Sequence, residues 1–253
     1  ERSGFISYAN CGLPYYIGGT IEDEGDLTLQ TPESFYKRFR VKMNVRHEVT
    51  ALHPESKMVT VKNIENGTVF TETYDKLILS PGAKPIKPNF EGIDSDKIFT
   101  LRTVEDTLKI KKFINEKYPK SAVVVGGGFI GIEVAENLRE LGIDVTLVEA
   151  ADQLMAPFDS DMASFIHAEL RKNGINLMLG RFVEGFADTD DGICVKLKNS
   201  PTLHANMVVM AIGVAPETTL AKDAGLELGI KGSIVVNDRM ETSVTDIYAV
   251  GDA

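Results

Sequence analysis

The sequence predicts an α/β fold in which a parallel sheet is joined to an antiparallel β-meander. Three observations carry that reading. Ala122-Val123-Val124-Val125 is an unbroken apolar run, the pattern of a strand covered on both faces of a parallel sheet. A glycine-rich turn, an amphipathic helix and a second strand, Asp144-Val145-Thr146-Leu147-Val148-Glu149, follow it as a β-α-β unit. The first third of the chain instead alternates apolar and polar residues around Asn66-Gly67.

In chain order, residues 57–62 and 68–71 alternate as strands, and Asn66-Gly67 between them predicts a hairpin turn, because both residues tolerate positive φ. Residues 76–79 form a strand that runs into the tight turn Ser80-Pro81-Gly82-Ala83, after which Pro85, Pro88 and Gly92 mark a loop. A charged amphipathic helix over 105–118 is stopped by Pro119. The helix after strand 122–125 lines one face with Ile130, Val134, Leu138 and Leu141 and is closed by Gly142. A further helix over 162–172 places Met162, Phe165, Ile166 and Leu170 in the core and ends at Asn173-Gly174. Strands at 175–179, 193–197 and 207–211 continue the alternation that implies a parallel sheet.

Composition narrows the function. The 253 residues suit one large or two ordinary domains, and 43% hydrophobic with 25% charged residues is globular. Lys plus Arg is 27 against 37 Asp plus Glu, a net charge of −10 that argues against nucleic acid or an anionic membrane as the main partner. The apolar stretches are short and broken by glycine or charge, so none is a bilayer span. No signal peptide opens the chain, since Glu1-Arg2-Ser3-Gly4 leads into strand-like sequence. Free cysteine without an export signal points to the reducing cytoplasm. Two cysteines make no disulfide framework, and His47, His53, His167 and His204 are too scattered to be metal ligands. No metal is expected.

Gly126-Gly127-Gly128-Phe129-Ile130-Gly131 fits G-x-G-x-x-G between a buried strand and a helix. Gly126 permits the tight turn, Gly128 lets the backbone approach a pyrophosphate, and Gly131 lets helix and strand pack closely. The amides at the helix start favour the phosphates. Glu149 ends the next strand, about 20 residues on, where a carboxylate binds a ribose 2′-hydroxyl and repels a 2′-phosphate. NADH is therefore favoured over NADPH.

Cys11 lies in Ser7-Tyr8-Ala9-Asn10-Cys11-Gly12-Leu13-Pro14-Tyr15-Tyr16. A lone cysteine is more often a small buried hydrophobe than a nucleophile. With no second cysteine a few residues away, any reaction at Cys11 uses a single thiol. Gly12-Leu13 would open a helix with the sulfur near its positive end, which favours thiolate. Cys194, on an alternating strand, reads as structural. Lys37, Arg38, Arg40 and Lys42 form a basic cluster that is either a solvated face or a grip for phosphates.

Three separated segments now agree: the Cys11 neighbourhood, the glycine fingerprint, and the closing run Thr242-Ser243-Val244-Thr245-Asp246-Ile247-Tyr248-Ala249-Val250-Gly251-Asp252-Ala253. Together they resemble the FAD-dependent pyridine nucleotide-disulfide oxidoreductases. More narrowly the chain is similar to their single-cysteine branch of coenzyme A-disulfide reductases, NADH oxidases and NADH peroxidases. Asn10-Cys11-Gly12-Leu13-Pro14-Tyr15 and Leu79-Ser80-Pro81-Gly82-Ala83 lean towards coenzyme A-disulfide reductase. The resemblance implies two Rossmann-like nucleotide-binding domains: an FAD-binding domain over 1–103, a NAD(P)-binding domain over 104–232, and a return to the FAD domain over 233–253. It implies an internal fragment, beginning after the family's own FAD fingerprint and ending before a C-terminal domain through which such proteins form homodimers.

The roles it implies are these. Cys11 is the redox nucleophile beside the flavin, with Ser7 and Asn10 near the thiol substrate, and Lys37, Arg38 and Arg40 reach the phosphates of coenzyme A. Ser80, Pro81, Gly82 and Ala83 line the FAD site, and Asp252 after Gly251 bonds the ribityl chain. Phe129 is an aromatic gate displaced by nicotinamide; Glu133 and Gly213 lie near NAD. Without the resemblance, 80–83 is a plain turn and Gly251-Asp252 a plain strand end. The implied reaction passes electrons from NADH through FAD to Cys11, which reduces coenzyme A disulfide or a related persulfide. Two rivals stand beside it: an NADH oxidase or peroxidase that cycles Cys11 through sulfenic acid, and a module that only binds dinucleotide.

Overall fold

The computed structural model describes residues 1–253, which divide into two compact units. One comprises Ala9–Thr28 and Pro85–Gly213; the other comprises Glu1–Tyr8, Leu29–Lys84 and Val214–Ala253. These divisions fall at other positions than the expected boundaries at 103 and 232. The segment after Ala9 groups with the later helices because helix Leu13–Gly18 packs on helices Val104–Lys117 and Phe129–Glu140.

The first unit is built on five parallel strands, in the order Asn176–Met178, Asp144–Val148, Ser121–Val125, Met207–Met210 and Ile98–Thr100. Residues 122–125 and 207–210 are buried throughout, because these strands have a layer on each face. One face, with Val123, Val125, Val208 and Met210, packs on Phe186, Ile193, Val195 and Leu197. Helix Phe129–Glu140 packs against strands 121–125 and 144–148.

Three details differ from expectation. Residues 193–197 belong to strand Gly192–Leu197, the centre of a separate antiparallel sheet with Val183–Thr189 and Leu203–Ala205, rather than to the parallel sheet. Connections of two residues before it and five after it favour antiparallel neighbours over a crossover. In helix Phe129–Glu140 the buried residues are Gly131, Val134, Ala135, Asn137 and Leu138, while Ile130 is half-buried and Leu141 exposed. Gly131 turns inward because it meets the backbone of Gly126. In helix Ser160–Lys172, Ala163 and Leu170 are buried, Ile166 is half-buried, and Met162 and Phe165 are 54% and 70% exposed. The His167 ring accepts a 3.0 Å bond from the Leu154 amide, which fixes the rotation of this helix.

The second unit carries the antiparallel meander His47–His53, Met58–Asn63 and Val69–Thr73. Its loop uses only Gly67 at positive φ, +75°; Asn66 stays at negative φ and its side chain accepts from the Thr68 amide and hydroxyl. The Gly67 amide closes on the Asn63 carbonyl, a longer loop than a two-residue turn. Strands Leu77–Leu79 and Ile247–Ala249 pair in parallel, and Leu79, Ile247 and Ala249 join Leu52, Val59, Val61 and Ile234 in this unit's core. No helix in the chain is long and apolar enough to cross a membrane.

Candidate functional site

The turn after strand 121–125 is shaped by two glycines. Gly126 sits at φ +111°, donates to the Val148 carbonyl at 2.8 Å, and would place a Cβ 2.3 Å from the Ala211 carbonyl oxygen. At Gly131 a Cβ would stand 1.9 Å from the Gly126 oxygen, so only glycine lets the helix begin this close to the turn. Gly128 caps the helix and faces open space. Gly126 and Gly131 thus answer backbone requirements of the turn, and Gly128 leaves open space at the helix start.

A cavity of about 510 Å³ opens at the turn, its wall formed by residues 126–130 with Glu149, Arg181, Phe182 and Gly213. Both oxygens of Glu149 are held by backbone amides: Oε2 accepts from Gly127 at 2.6 Å and Oε1 from Ala151 at 2.7 Å. The carboxylate is thereby oriented before any ligand arrives, and the strand-end acid is in the same cavity as the fingerprint. Phe129 is 64% exposed at the cavity mouth, and Ile130 lines it. Glu133, one turn along, is partly buried; burial, then the neighbouring Glu136 charge, raises its carboxyl above the usual range. Phe90, Arg181 and Phe182 also line the cavity. They carry no motif and come from loops remote in sequence from the fingerprint, so no local signal identifies them.

Cys11 is an exposed free thiol in the turn Asn10–Gly12, directly before helix Leu13–Gly18, which opens with Pro14 in its first turn. It is not a buried hydrophobe. The Gly12 amide closes the turn on the Ala9 carbonyl at 2.9 Å. Asn10 is exposed and its Oδ1 accepts from Arg102 at 3.4 Å. Arg102 in turn precedes the capping box of helix Val104–Lys117, where Asp106 Oδ2 accepts from the amides of Arg102 and Thr103. Tyr15, one turn after Cys11, has its phenol pushed up mainly by the Glu136 charge and then by burial, which keeps it protonated.

The remaining candidates lie in the second unit. Ser80 follows strand Leu77–Leu79, while Gly251 and Asp252 come just after strand Ile247–Ala249; the Val250 amide bonds the Leu79 carbonyl at 3.0 Å. The parallel pairing thus sets the turn Ser80-Pro81-Gly82-Ala83 beside Gly251-Asp252, at the carboxyl ends of adjacent strands where α/β sheets bind nucleotides. Ser7 is half-buried in strand Ser7–Tyr8. Lys37 and Arg38 lie on helix Pro32–Phe39, which Arg40 caps at φ +58°. All three are exposed, with Arg38 over the Phe39 ring at 5.0 Å and Arg40 over Tyr36 at 5.8 Å. Cys194 Sγ contacts His204 Nδ1 at 3.2 Å across its sheet, as a surface pair rather than a core residue.

Comparison with known proteins places this geometry among redox enzymes. A family profile described as pyridine nucleotide-disulphide oxidoreductase matches residues 1–253. The chain is 39% identical over 252 residues to a coenzyme A disulfide reductase of Staphylococcus aureus, matching 100% of the chain and 56% of that protein. It therefore spans about half the length of the curated relatives it matches. The crystal structure of reduced Bacillus anthracis CoADR-RHD superposes with a TM-score of 0.96 at 47% identity, over 100% of this chain and 45% of that one. A water-forming NADH oxidase from Lactobacillus brevis, bound to NADH, matches with a TM-score of 0.91 at 33% identity, over 98% of this chain and 54% of that one.

Proposed function

Because the chain belongs to the pyridine nucleotide-disulphide oxidoreductase family of flavoenzymes, we propose that the protein containing it reduces coenzyme A disulfide through Cys11 with electrons from a pyridine nucleotide. The observation that carries the reading is the exposed, unpaired Cys11 set between Asn10 and a helix start in the same unit as the dinucleotide turn. The S. aureus and B. anthracis relatives support the substrate class.

In this reading Gly126, Gly128 and Gly131 shape the dinucleotide turn, Glu149 accepts from the adenosine ribose, and Phe129, Ile130, Glu133 and Gly213 surround the nicotinamide half. Ser80, Pro81, Gly82, Ala83, Gly251 and Asp252 hold the FAD, whose isoalloxazine, when bound, supplies the two-electron link between pyridine nucleotide and thiol. Cys11 attacks one sulfur of the disulfide, the S–S bond breaks, one coenzyme A leaves as thiolate, and the other stays as a mixed disulfide. Two electrons and two protons, the equivalent of one NAD(P)H and one proton, cleave the mixed disulfide to the Cys11 thiol and the second coenzyme A thiol, while the first thiolate takes the proton that Cys11 gave up; the net yield is two thiols. Asn10 and Ser7 orient the disulfide; Lys37, Arg38 and Arg40 take its phosphates. The reaction suits a reducing compartment, and a homodimer belongs to the same proposal.

The test is made on the full-length, FAD-loaded protein. Cys11→Ser abolishes coenzyme A disulfide turnover while the flavin still binds, and protein purified without reductant carries a coenzyme A adduct on Cys11 by peptide mass. Full turnover in Cys11→Ser overturns the scheme. A sulfenic or sulfinic Cys11 without adduct moves the assignment to the oxidase chemistry of the L. brevis relative.

A further inference from the structure

Phe186, Ile193, Val195 and Leu197 point into the core, so strand alternation sends their neighbours to the opposite face of the sheet Val183–Thr189, Gly192–Leu197 and Leu203–Ala205. On that face Cys194 stands between Ala187 and His204, its partners across the two ladders. Residues directly opposite on antiparallel strands have Cβ atoms about 4.5–5.5 Å apart, so the ladder itself holds the thiol against the ring. Cys194 Sγ lies 3.2 Å from His204 Nδ1. The face is open to reagents: Cys194 is half-buried and His204 exposed. Next to the pair, Lys196 stands opposite Gly185, and Thr189 opposite Gly192. The charged groups around it are Lys196 and Glu91, which bond each other at 2.7 Å, and Glu184 at the bulge of the neighbouring strand.

A thiol within hydrogen-bond reach of an imidazole is a nucleophile beside its base. We propose that Cys194 and His204 form a second thiol–disulfide exchange site, which takes one half of a small disulfide and keeps it as a mixed disulfide. The thiol donates to Nδ1 while the ring is neutral with its proton on Nε2, and Nδ1–H donates to the thiolate once the proton has crossed. Sγ then attacks one sulfur of the disulfide, the S–S bond breaks, and the departing thiolate takes the proton from the imidazolium. The disulfide gives one free thiol, its other half forms the new S–S bond to Cys194, and no further oxidant is consumed. The site uses neither flavin nor pyridine nucleotide, and it stands whether or not Cys11 carries the turnover proposed above. It revises the expectation that Cys194 is structural, because that expectation rests on its own strand and not on the residue across the ladder.

The test uses the full-length, FAD-loaded protein carrying Cys11→Ser, with coenzyme A disulfide as the probe and peptide mass at timed intervals as the readout. A coenzyme A adduct forms on Cys194. At pH 7 only a few per cent of an ordinary thiol is ionised, so His204→Gln, which cannot take the proton, slows the adduct by about tenfold. At about pH 10 the thiol ionises unaided, and the two rates converge. His204 is exposed, so the substitution keeps the sheet, and an unchanged circular dichroism spectrum confirms that. A histidine that only shaped access to the sulfur would give the same rate ratio at every pH. Absence of the adduct on Cys194, equal rates at pH 7, or a ratio that does not change with pH each overturns the proposal.

Discussion

Asn137 and Gly18 meet at a point where no side chain fits between two helices. Asn137 is 1% exposed, its Nδ2 donates back to the Glu133 carbonyl at 2.8 Å, and a Cβ built on Gly18 would stand 2.1 Å from its Oδ1. That oxygen has no hydrogen-bond partner. The contact joins the helix that follows Cys11 to the helix that begins with the glycine fingerprint. Gly18→Ala should force these helices apart and cost about 1–3 kcal/mol, the usual range for overpacking, measured as a lower urea midpoint at unchanged slope.

Gly131→Ala should be more damaging to the site than to the fold. A methyl group 1.9 Å from the Gly126 oxygen must displace the turn itself. The expected outcome is at least a tenfold loss of NAD⁺ affinity by calorimetry, equivalent to about 1.4 kcal/mol, with the circular dichroism spectrum retained.

His167 links pH to the same turn. Its Nε2 accepts from the Leu154 amide, so the bonded ring is neutral, and burial followed by the Arg171 charge lowers its pKa. The unfolded chain therefore takes up the proton first as pH falls. This contribution to stability is full above about pH 6.5, the ordinary histidine value, and is lost as pH falls from there through the folded pKa. Leu154 packs against Gly127, so NAD⁺ affinity should fall over the same window. His167→Gln, which cannot titrate, should flatten that dependence in calorimetric titrations between pH 5 and 8.

Thr103 caps helix Val104–Lys117 in a reciprocal box with Asp106, and the box holds the backbone of Arg102, which touches Asn10. Thr103→Ala should cost about 1 kcal/mol, the typical value of such a cap. Thr103→Ser, which keeps the hydroxyl, should recover most of it in thermal unfolding.

Much of this was legible in the chain because it depends on local pattern. The order strand, glycine turn, helix and strand-end acid over 122–149 is legible, since Gly126 and Gly131 answer backbone requirements a few residues away, while the exact buried face of the helix is not. The helix over 160–172 was misread at Met162 and Phe165, because hydrophobic spacing weighs large apolar residues above Ala163, and the rotation of the helix is decided by a histidine. Asn66-Gly67 marks the hairpin between strands 58–63 and 69–73, while the Asn66 side chain that accepts from Thr68 is a detail spacing does not reveal. Arg181 and Phe182 were invisible, being brought to Glu149 by the crossover between two parallel strands rather than by any run of sequence.

The parallel pairing of Leu77–Leu79 with Ile247–Ala249 also sets how long strand 77–79 waits for this neighbour during synthesis. Flanking these strands, Lys76 and Asp246 are 170 residues apart, and everything between 85 and 213 belongs to the other compact unit. On a ribosome adding about 5–20 residues each second, strand 77–79 waits roughly 10–35 s for its neighbour. During that interval its edge, carrying the 64% exposed Ile78, is open to stray partners. The nucleotide turn of residues 126–131 needs only chain made up to 211 and is complete earlier. Nascent chains on which strand 247–249 has not yet emerged should therefore bind chaperones that shield strand edges more than those on which it has.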